Sequence, residues 1–245
     1  GLAMRAHSTR AMAALAFYEA LFGDNHPYGY CNDGYTDTVA EITRTEMKQF
    51  QRKHYGPQEM IVVIVGSVTA QTAINLVEKH FGDWSNEQQP ARAPAPAERE
   101  MNSTENRRLQ IPGKTQTDIV LGFCGPRRSD PDFQAVRVAN SILGVFGMYG
   151  RLGQSVRKKH GLAYYSFSRV DGSFGPGTWR VIAGVNPEKV NTAITAILAE
   201  IDRLASRLVT PTELADSKSF ILGSLPLQLE TNEGVAGTLA AIELH

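Results

Sequence analysis

The sequence predicts an α+β fold built from two related modules, each a mixed sheet packed with helices. Three observations lead there. Capped helical segments alternate with short, β-branched apolar runs, so helices and sheet are combined without the strict repeat of an all-parallel fold. A stretch from Ser85 to Arg108, including Gln88-Gln89-Pro90-Ala91-Arg92-Ala93-Pro94-Ala95-Pro96, has almost no large apolar residue and cannot nucleate a core. Finally, Gly56-Pro57, an apolar run, Gly66 and a capped helix are echoed by Gly175-Pro176, an apolar run, Gly184 and a capped helix. This is a weak internal repeat. The boundaries that follow are 1–88 for the first module, 89–106 for a linker and 107–245 for the second module. A chain of 245 residues is long enough to bury a sizeable core.

The elements follow in order. Ala3 to Phe22 is alanine-rich, lacks proline and predicts a helix, which Gly23-Asp24-Asn25-His26-Pro27-Tyr28-Gly29 ends. Thr43 and Glu46 form a capping box at the start of a second helix, with Ile42 and Met47 placed as its hydrophobic staple. Met60 to Val65 is an unbroken apolar run and predicts a buried strand; Thr69 then caps a helix bearing Ala73, Ile74, Val77 and Phe81 on one side. In the second module, Arg107–Ile111 and Thr117–Phe123 are strand candidates, and Asp130-Pro131 is a helix start. Gly144, Gly147, Gly150 and Gly153 recur at every third position, before a short basic helix from Arg151 to Lys159. Leu162–Val170 and Thr178–Val185 predict a strand pair around a glycine-rich turn. Asn186-Pro187 and the capping box Thr210-Pro211-Thr212-Glu213 open two further helices, the second reaching Pro226. A last helix covers roughly Gly234 to Leu244.

Composition excludes several classes. Hydrophobic residues at 42% and charged residues at 20% exclude a disordered chain. Lys plus Arg and Asp plus Glu each total 25, and the resulting zero net charge argues against nucleic acid as a partner. No apolar run is long enough to span a membrane. Gly1-Leu2-Ala3-Met4 lacks the regions of a signal peptide. The two cysteines, Cys31 and Cys124, do not make a disulfide framework. A cytoplasmic location is the expectation.

The chemistry is sparse. The six histidines (His7, His26, His54, His80, His160 and His245) form neither H-E-x-x-H nor H-x-x-E-H, so no metal ligand set is expected in this chain. His26 is read as fixing the turn before Pro27-Tyr28. There is no G-x-S-x-G elbow and no phosphate-binding glycine motif. The glycines from Gly144 to Gly153 are either a plain turn or a substrate-facing loop whose missing side chains admit another backbone. Arg157, Lys158, Lys159 and His160 are either a solvated helix end, where cations suit the dipole, or a source of donors for a peptide carbonyl or carboxylate. Tyr164 follows in the next strand with a phenol that can donate a hydrogen bond.

The chain resembles the pitrilysin/insulinase family of zinc peptidases, which includes the mitochondrial processing peptidase. In the first module the likeness rests on His26-Pro27-Tyr28-Gly29, Tyr55-Gly56-Pro57, Val65-Gly66-Ser67-Val68 and Phe81-Gly82-Asp83-Trp84. In the second it rests on Asn140-Ser141-Ile142-Leu143-Gly144, Arg151-Leu152-Gly153, Val156-Arg157, Gly161-Leu162-Ala163-Tyr164, Ala183-Gly184-Val185 and Thr210-Pro211-Thr212-Glu213-Leu214.

The resemblance implies α+β modules paired around a chamber, a zinc site in the first module and a substrate-gripping second module. It implies that Arg157 and Tyr164 bind the substrate backbone and stabilise the tetrahedral intermediate, beside a glycine-rich region containing Gly147, Gly150 and Gly153. The H-x-x-E-H motif and its third-ligand glutamate fall before Gly1 by the family order, and a closing strand and helix fall after His245. Glu19 is too close to His26-Pro27-Tyr28 to be that third ligand. The expected function is therefore that of a zinc endopeptidase fragment that supplies substrate binding without the metal. Zinc is expected in the parent, peptide or unfolded polypeptide is the expected partner, and homo- or hetero-oligomers are compatible with it. The alternative is a non-catalytic relative that presents substrate to, or supports, an active subunit. An unrelated two-domain α+β protein is the third possibility.

Overall fold

In the computed structural model, which describes residues 1–97 and 99–245, strands β1 (Thr117–Gly125), β2 (Ala163–Asp171) and β3 (Gly177–Val185) form one sheet in the order β1-β3-β2. Both neighbours run antiparallel to β3, so this sheet is antiparallel and not the mixed sheet the sequence suggested. The short connection between β2 and β3 is the reason, because a tight turn can only return the chain antiparallel. Gly172 in that turn leaves room for the Phe133 ring, whose Cε2 would lie 2.3 Å from an added Cβ.

Helices account for most of the remaining structure, and the class is α+β. They are α1 (Leu2–Ala6), α2 (Thr9–Phe22), α3 (Thr36–Glu41), α4 (Arg44–His54), α5 (Ala70–Phe81), α6 (Phe133–Asn140), α7 (Val190–Ser206), α8 (Pro211–Gln228) and α9 (Asn232–Leu244). The helix expected over Ala3–Phe22 divides at Ser8, whose hydroxyl accepts from the Ala11 N–H at 3.2 Å and starts α2 afresh. His26 fixes the following turn, as its sequence position suggested: its Nδ1 accepts from the Tyr28 N–H at 3.1 Å. Its ring packs on Phe22 and Tyr28, with centroids 4.8 and 4.9 Å away.

The capping boxes expected at Thr43-Glu46 and Thr210-Glu213 are both formed. Thr69 and Thr231 cap α5 and α9 through their hydroxyls. Asp130 does not cap α6. Its carboxylate accepts the Arg127 N–H at 2.7 Å, and the helix starts later, at Phe133.

Two predicted strands do not form. Met60–Val65 is irregular and runs alongside no strand; Met60, Ile61, Val62 and Ile64 are 40, 40, 45 and 49% exposed. A strand needs a ladder partner to satisfy its backbone, and none is available among the described residues. Arg107–Ile111 fails for the same reason, with Leu109 half exposed.

The sheet has two differently covered faces. On one, Val181, Ala183 and Val185 of β3 join Ile119 of β1, Leu143, Leu152 and Val156, and Ala193 and Ile197 of α7 in the core. On the other, α2 lies over polar and aromatic groups. Thr9 donates to Asp118, Arg10 stacks over Tyr165 and Phe167, and Tyr18 and Arg180 meet Asp171. The Tyr165 ring crosses Gly184 to reach Asp118, and a Cβ on Gly184 would lie 2.5 Å from that ring.

By contacts the chain divides into two units. One joins Gly1–Thr36 to Ala95–Phe220, and the other joins Asp37–Pro94 to Ile221–His245. In the first unit, α2 packs on the sheet. The first unit contains the buried core. No described residue of the second is buried.

Gly184→Ala is expected to destabilise the chain by about 1–3 kcal/mol, the usual range for overpacking. Thermal melting followed by far-UV circular dichroism measures it. In a Tyr165→Ala background the same substitution should be tolerated, and equal losses in both backgrounds would contradict the packing of Tyr165 on Gly184.

Candidate functional site

The segment between α6 and β2 is built from two π-helical stretches and a 3₁₀ turn. A π-type turn over Ser141–Val145 continues α6, a 3₁₀ turn covers Gly147–Tyr149, and a second π-type turn covers Gly153–Lys159. The expected basic helix at Arg151–Lys159 forms, α-helical at Arg151 and Leu152 and π-helical from Gly153 to Lys159. Asn140 ties its start to the sheet: its side-chain oxygen accepts from Trp179 Nε1 at 2.9 Å, and its carbonyl accepts from Ser168 Oγ at 3.2 Å.

The glycines let the segment fold on itself. A Cβ on Gly153 would lie 2.2 Å from the Gly147 carbonyl, and one on Gly144 would lie 2.5 Å from the Ser168 nitrogen. Gly147 is exposed with φ +59°, a conformation that favours glycine, whereas Gly150 and Gly153 are buried. The three glycines expected at the site are therefore brought together, but Gly147 is the one open to solvent.

Arg151, 6% exposed, extends from the middle of this segment to α8. Its Nε and Nη2 donate to the two carboxylate oxygens of Glu213 at 2.7 and 3.0 Å. Glu213 Oε2 also accepts from the Thr210 N–H at 2.8 Å and the Thr210 hydroxyl at 3.1 Å. The Arg151 hydrogen bonds, helped by Thr210, pull the Glu213 carboxyl down to about 2. Sequence inspection identified Glu213 as a cap and Arg151 as part of a basic stretch. It did not join them, because 62 positions separate the two and local pattern carries no signal for such a pair.

The second π-type turn carries Arg157. Val156 is buried on its inner side at 0% exposure, while Arg157 points outward, exposed and without a partner among the described residues. The Gly161 N–H bonds the Arg157 carbonyl at 3.0 Å, and Gly161 turns the chain at φ +57° into β2.

There the register slips. Ala163 pairs with Val185 and Tyr165 with Gly184, leaving Tyr164 as the extra residue of a β-bulge. Tyr164 is 60% exposed, again with no partner among the described residues. A bulge re-aims its side chain and is common beside active sites. The two sequence-predicted polar residues thus stand on consecutive elements joined by one turn, both directed to solvent. Ser141, Tyr149, Arg151, Lys159, Glu213 and Ser217 border a cleft of about 610 Å³, whose lining includes neither Arg157 nor Tyr164.

The residues present do not fit a zinc site. Among the described residues, no three His, Cys, Asp or Glu side chains converge. The buried His26 uses Nδ1 in its turn and is enclosed by Phe22 and Tyr28.

Residues 41–220 match a family described as the peptidase M16 inactive domain. The chain is 31% identical over 231 residues to an uncharacterized zinc protease of Streptomyces coelicolor, covering 93% of this chain and 50% of that protein. It therefore spans about half the length of that relative. In fold it is similar to a crystal structure of a peptidase M16 inactive domain from Pseudomonas fluorescens, with a TM-score of 0.87 and 24% identity over 100% of this chain and 57% of that one. A protease from Helicobacter pylori has a TM-score of 0.86 and 25% identity, over 94% of this chain and 56% of that one.

The depressed Glu213 carboxyl makes a pH prediction. Its folded value lies below the unfolded one, so its stabilising contribution is present above about 4.5 and is lost as pH falls toward about 2. Urea unfolding at pH 7, 4.5, 3 and 2 should show wild type losing more stability below pH 4.5 than Glu213→Gln. Parallel curves would contradict the ion pair.

Proposed function

Because the chain belongs to the peptidase M16 inactive-domain family, we propose that it is the substrate-gripping part of a pitrilysin-type zinc endopeptidase. The zinc site would lie in the remaining half that its relatives possess. On this reading, the boundaries 1–88, 89–106 and 107–245 mark the end of one module, a linker and a second module. The observation that carries the proposal is that Arg157, exposed on a π-helix, and Tyr164, exposed on a bulge in the strand that follows, both lack a partner among the described residues.

The chemistry assigned to this chain is binding and charge stabilisation. The Arg157 guanidinium presents a planar fork of donors that suits a peptide carbonyl or terminal carboxylate. The Tyr164 phenol donates to the oxygen on which negative charge develops during acyl attack. Gly147, open and without a side chain, lets a peptide backbone approach. Gly150 and Gly153 assist by keeping the loop compact. When bound elsewhere in the polypeptide, zinc would activate the attacking water, and nothing in this chain contributes to that step. Peptide or unfolded polypeptide is the substrate class, and pairing with a further module, in the same chain or another, completes the chamber. A cytoplasmic location is part of the same proposal.

We infer a second reading from the absence of a metal ligand set among the described residues, which a non-catalytic parent would share. The parent would lack peptidase activity and act as a substrate-presenting or structural partner of an active subunit. The coding sequence upstream of Gly1 separates the two: an H-x-x-E-H motif with a downstream glutamate supports the first, and its absence from an intact module supports the second.

In the longer polypeptide, Arg157→Ala and Tyr164→Phe are each expected to lower turnover of a fluorogenic peptide about 100-fold, the lower end of what loss of one oxyanion donor costs. Zinc content should not change. Unchanged turnover in both variants would remove the roles assigned to them.

A further inference from the structure

We propose that the Arg151–Glu213 ion pair is a positioning latch that sets the direction of Arg157 and, through it, the grip on substrate. The inference rests on the reading of Arg157 and Tyr164 above. Arg151 does not touch substrate in this scheme; it acts through the turn that begins beside it.

The geometry supports this in three ways. First, two of the three guanidinium nitrogens of Arg151 are engaged by Glu213, and Nη1 is buried without a partner among the described residues. The guanidinium is nearly removed from water at 6% exposure, and a buried charge is retained only with a well-formed partner. Glu213 is equally constrained, because its Oε2 also accepts from the Thr210 backbone and hydroxyl. The carboxylate cannot swing away from Arg151 without undoing the cap on α8. It is a fixed reference point on a long helix.

Second, the latch sits where the turn needs it. Residues 150–153 are all buried, and Arg151 is the charged side chain among them. The π-type turn starts at Gly153, and Val156 anchors its inner side in the core. π-Helical geometry is rare and is frequent at functional sites. With Arg157 exposed and without a partner among the described residues, its direction depends on the backbone beneath it. Leu152 and Val156 anchor that backbone in the apolar core, and Arg151 ties its start to α8 through Glu213.

Third, the chemistry requires arginine. Both Glu213 oxygens are engaged by Nε and Nη2 as a fork, which defines orientation as well as distance. Lysine would keep the charge and lose the orientation.

The test is a double-mutant cycle in the longer polypeptide, with Arg151→Met, Arg157→Ala and both together. Peptide hydrolysis is measured per zinc-loaded, folded molecule, and hydrogen exchange is followed over residues 147–161. Arg151→Met should lower kcat about 10- to 100-fold, as misplacement of a positioned group does, with zinc content unchanged. Exchange over 147–161 should quicken. Arg157→Ala should lose most of its effect in the Arg151→Met background, because the group that Arg151 positions is already misdirected.

An Arg157→Ala effect of the same factor in both backgrounds would overturn the latch, since a purely structural Arg151 gives additive losses. So would unchanged exchange over 147–161. Should Arg157→Ala alone prove silent, the functional reading fails while the exchange measurement still decides the latch. If Arg151→Met does not fold, Arg151→Lys takes its place in the same cycle, with the same outcomes expected.

Discussion

The central position of β3 is the constraint on which the rest of the ordered core depends. It pairs along its length with β1 on one side and β2 on the other, so its backbone has no free edge. Its side chains must therefore divide between two covered faces. Val181, Ala183 and Val185 enter an apolar core beneath α7, where Ile197 and Ala193 are fully enclosed. Arg180, Ile182 and Gly184 face α2. Arg180 is only 8% exposed, and its charge is balanced by Asp171 and flanked by the Tyr18 ring at 5.0 Å. The two faces thus obey different rules: one is held by apolar burial, the other by polar pairing and stacking, with Arg180 Nε left buried without a partner among the described residues.

The candidate site is a consequence of that strand. Tyr165 must stay on the α2 face, crossing Gly184 to reach Asp118, while Ala163 must stay in the core beside Val185. Two residues cannot both hold those places in a regular ladder with one residue between them. The bulge resolves the conflict, and Tyr164 is the residue expelled by it. Its exposure is therefore imposed by packing on either side. Arg157 is produced in a similar way, since Val156 is drawn into the core and leaves its neighbour outside.

The two units differ in what their apolar residues achieve. Around the sheet, apolar side chains at helical and strand spacing reach near-complete burial. In Asp37–Pro94 and Ile221–His245 the same kind of pattern leaves Met47, Phe50, Ile64 and Ile74 between 49 and 63% exposed. Capping chemistry is satisfied in both, because it is local. Burial is not, because it requires an opposing surface.

Much of the fold was legible in the residues. Helix starts at Thr43, Thr69 and Thr210 follow from hydroxyls that satisfy the first free N–H groups, a short-range property. The strands β1, β2 and β3 lie within a residue or two of the β-branched runs that mark them. Met60–Val65 shows where pattern ends: β-branched and apolar as it is, its backbone finds no partner, so it is not a strand. The same limit applies to the site. Sequence placed Arg157, Tyr164 and the glycines on one segment through their resemblance to a family. The bulge at Tyr164, the burial of Gly150 and Gly153, and the bond between Arg151 and Glu213 were decided by tertiary structure. Each depends on groups far apart in the chain meeting at hydrogen-bonding or van der Waals distance, and no local propensity encodes such a meeting.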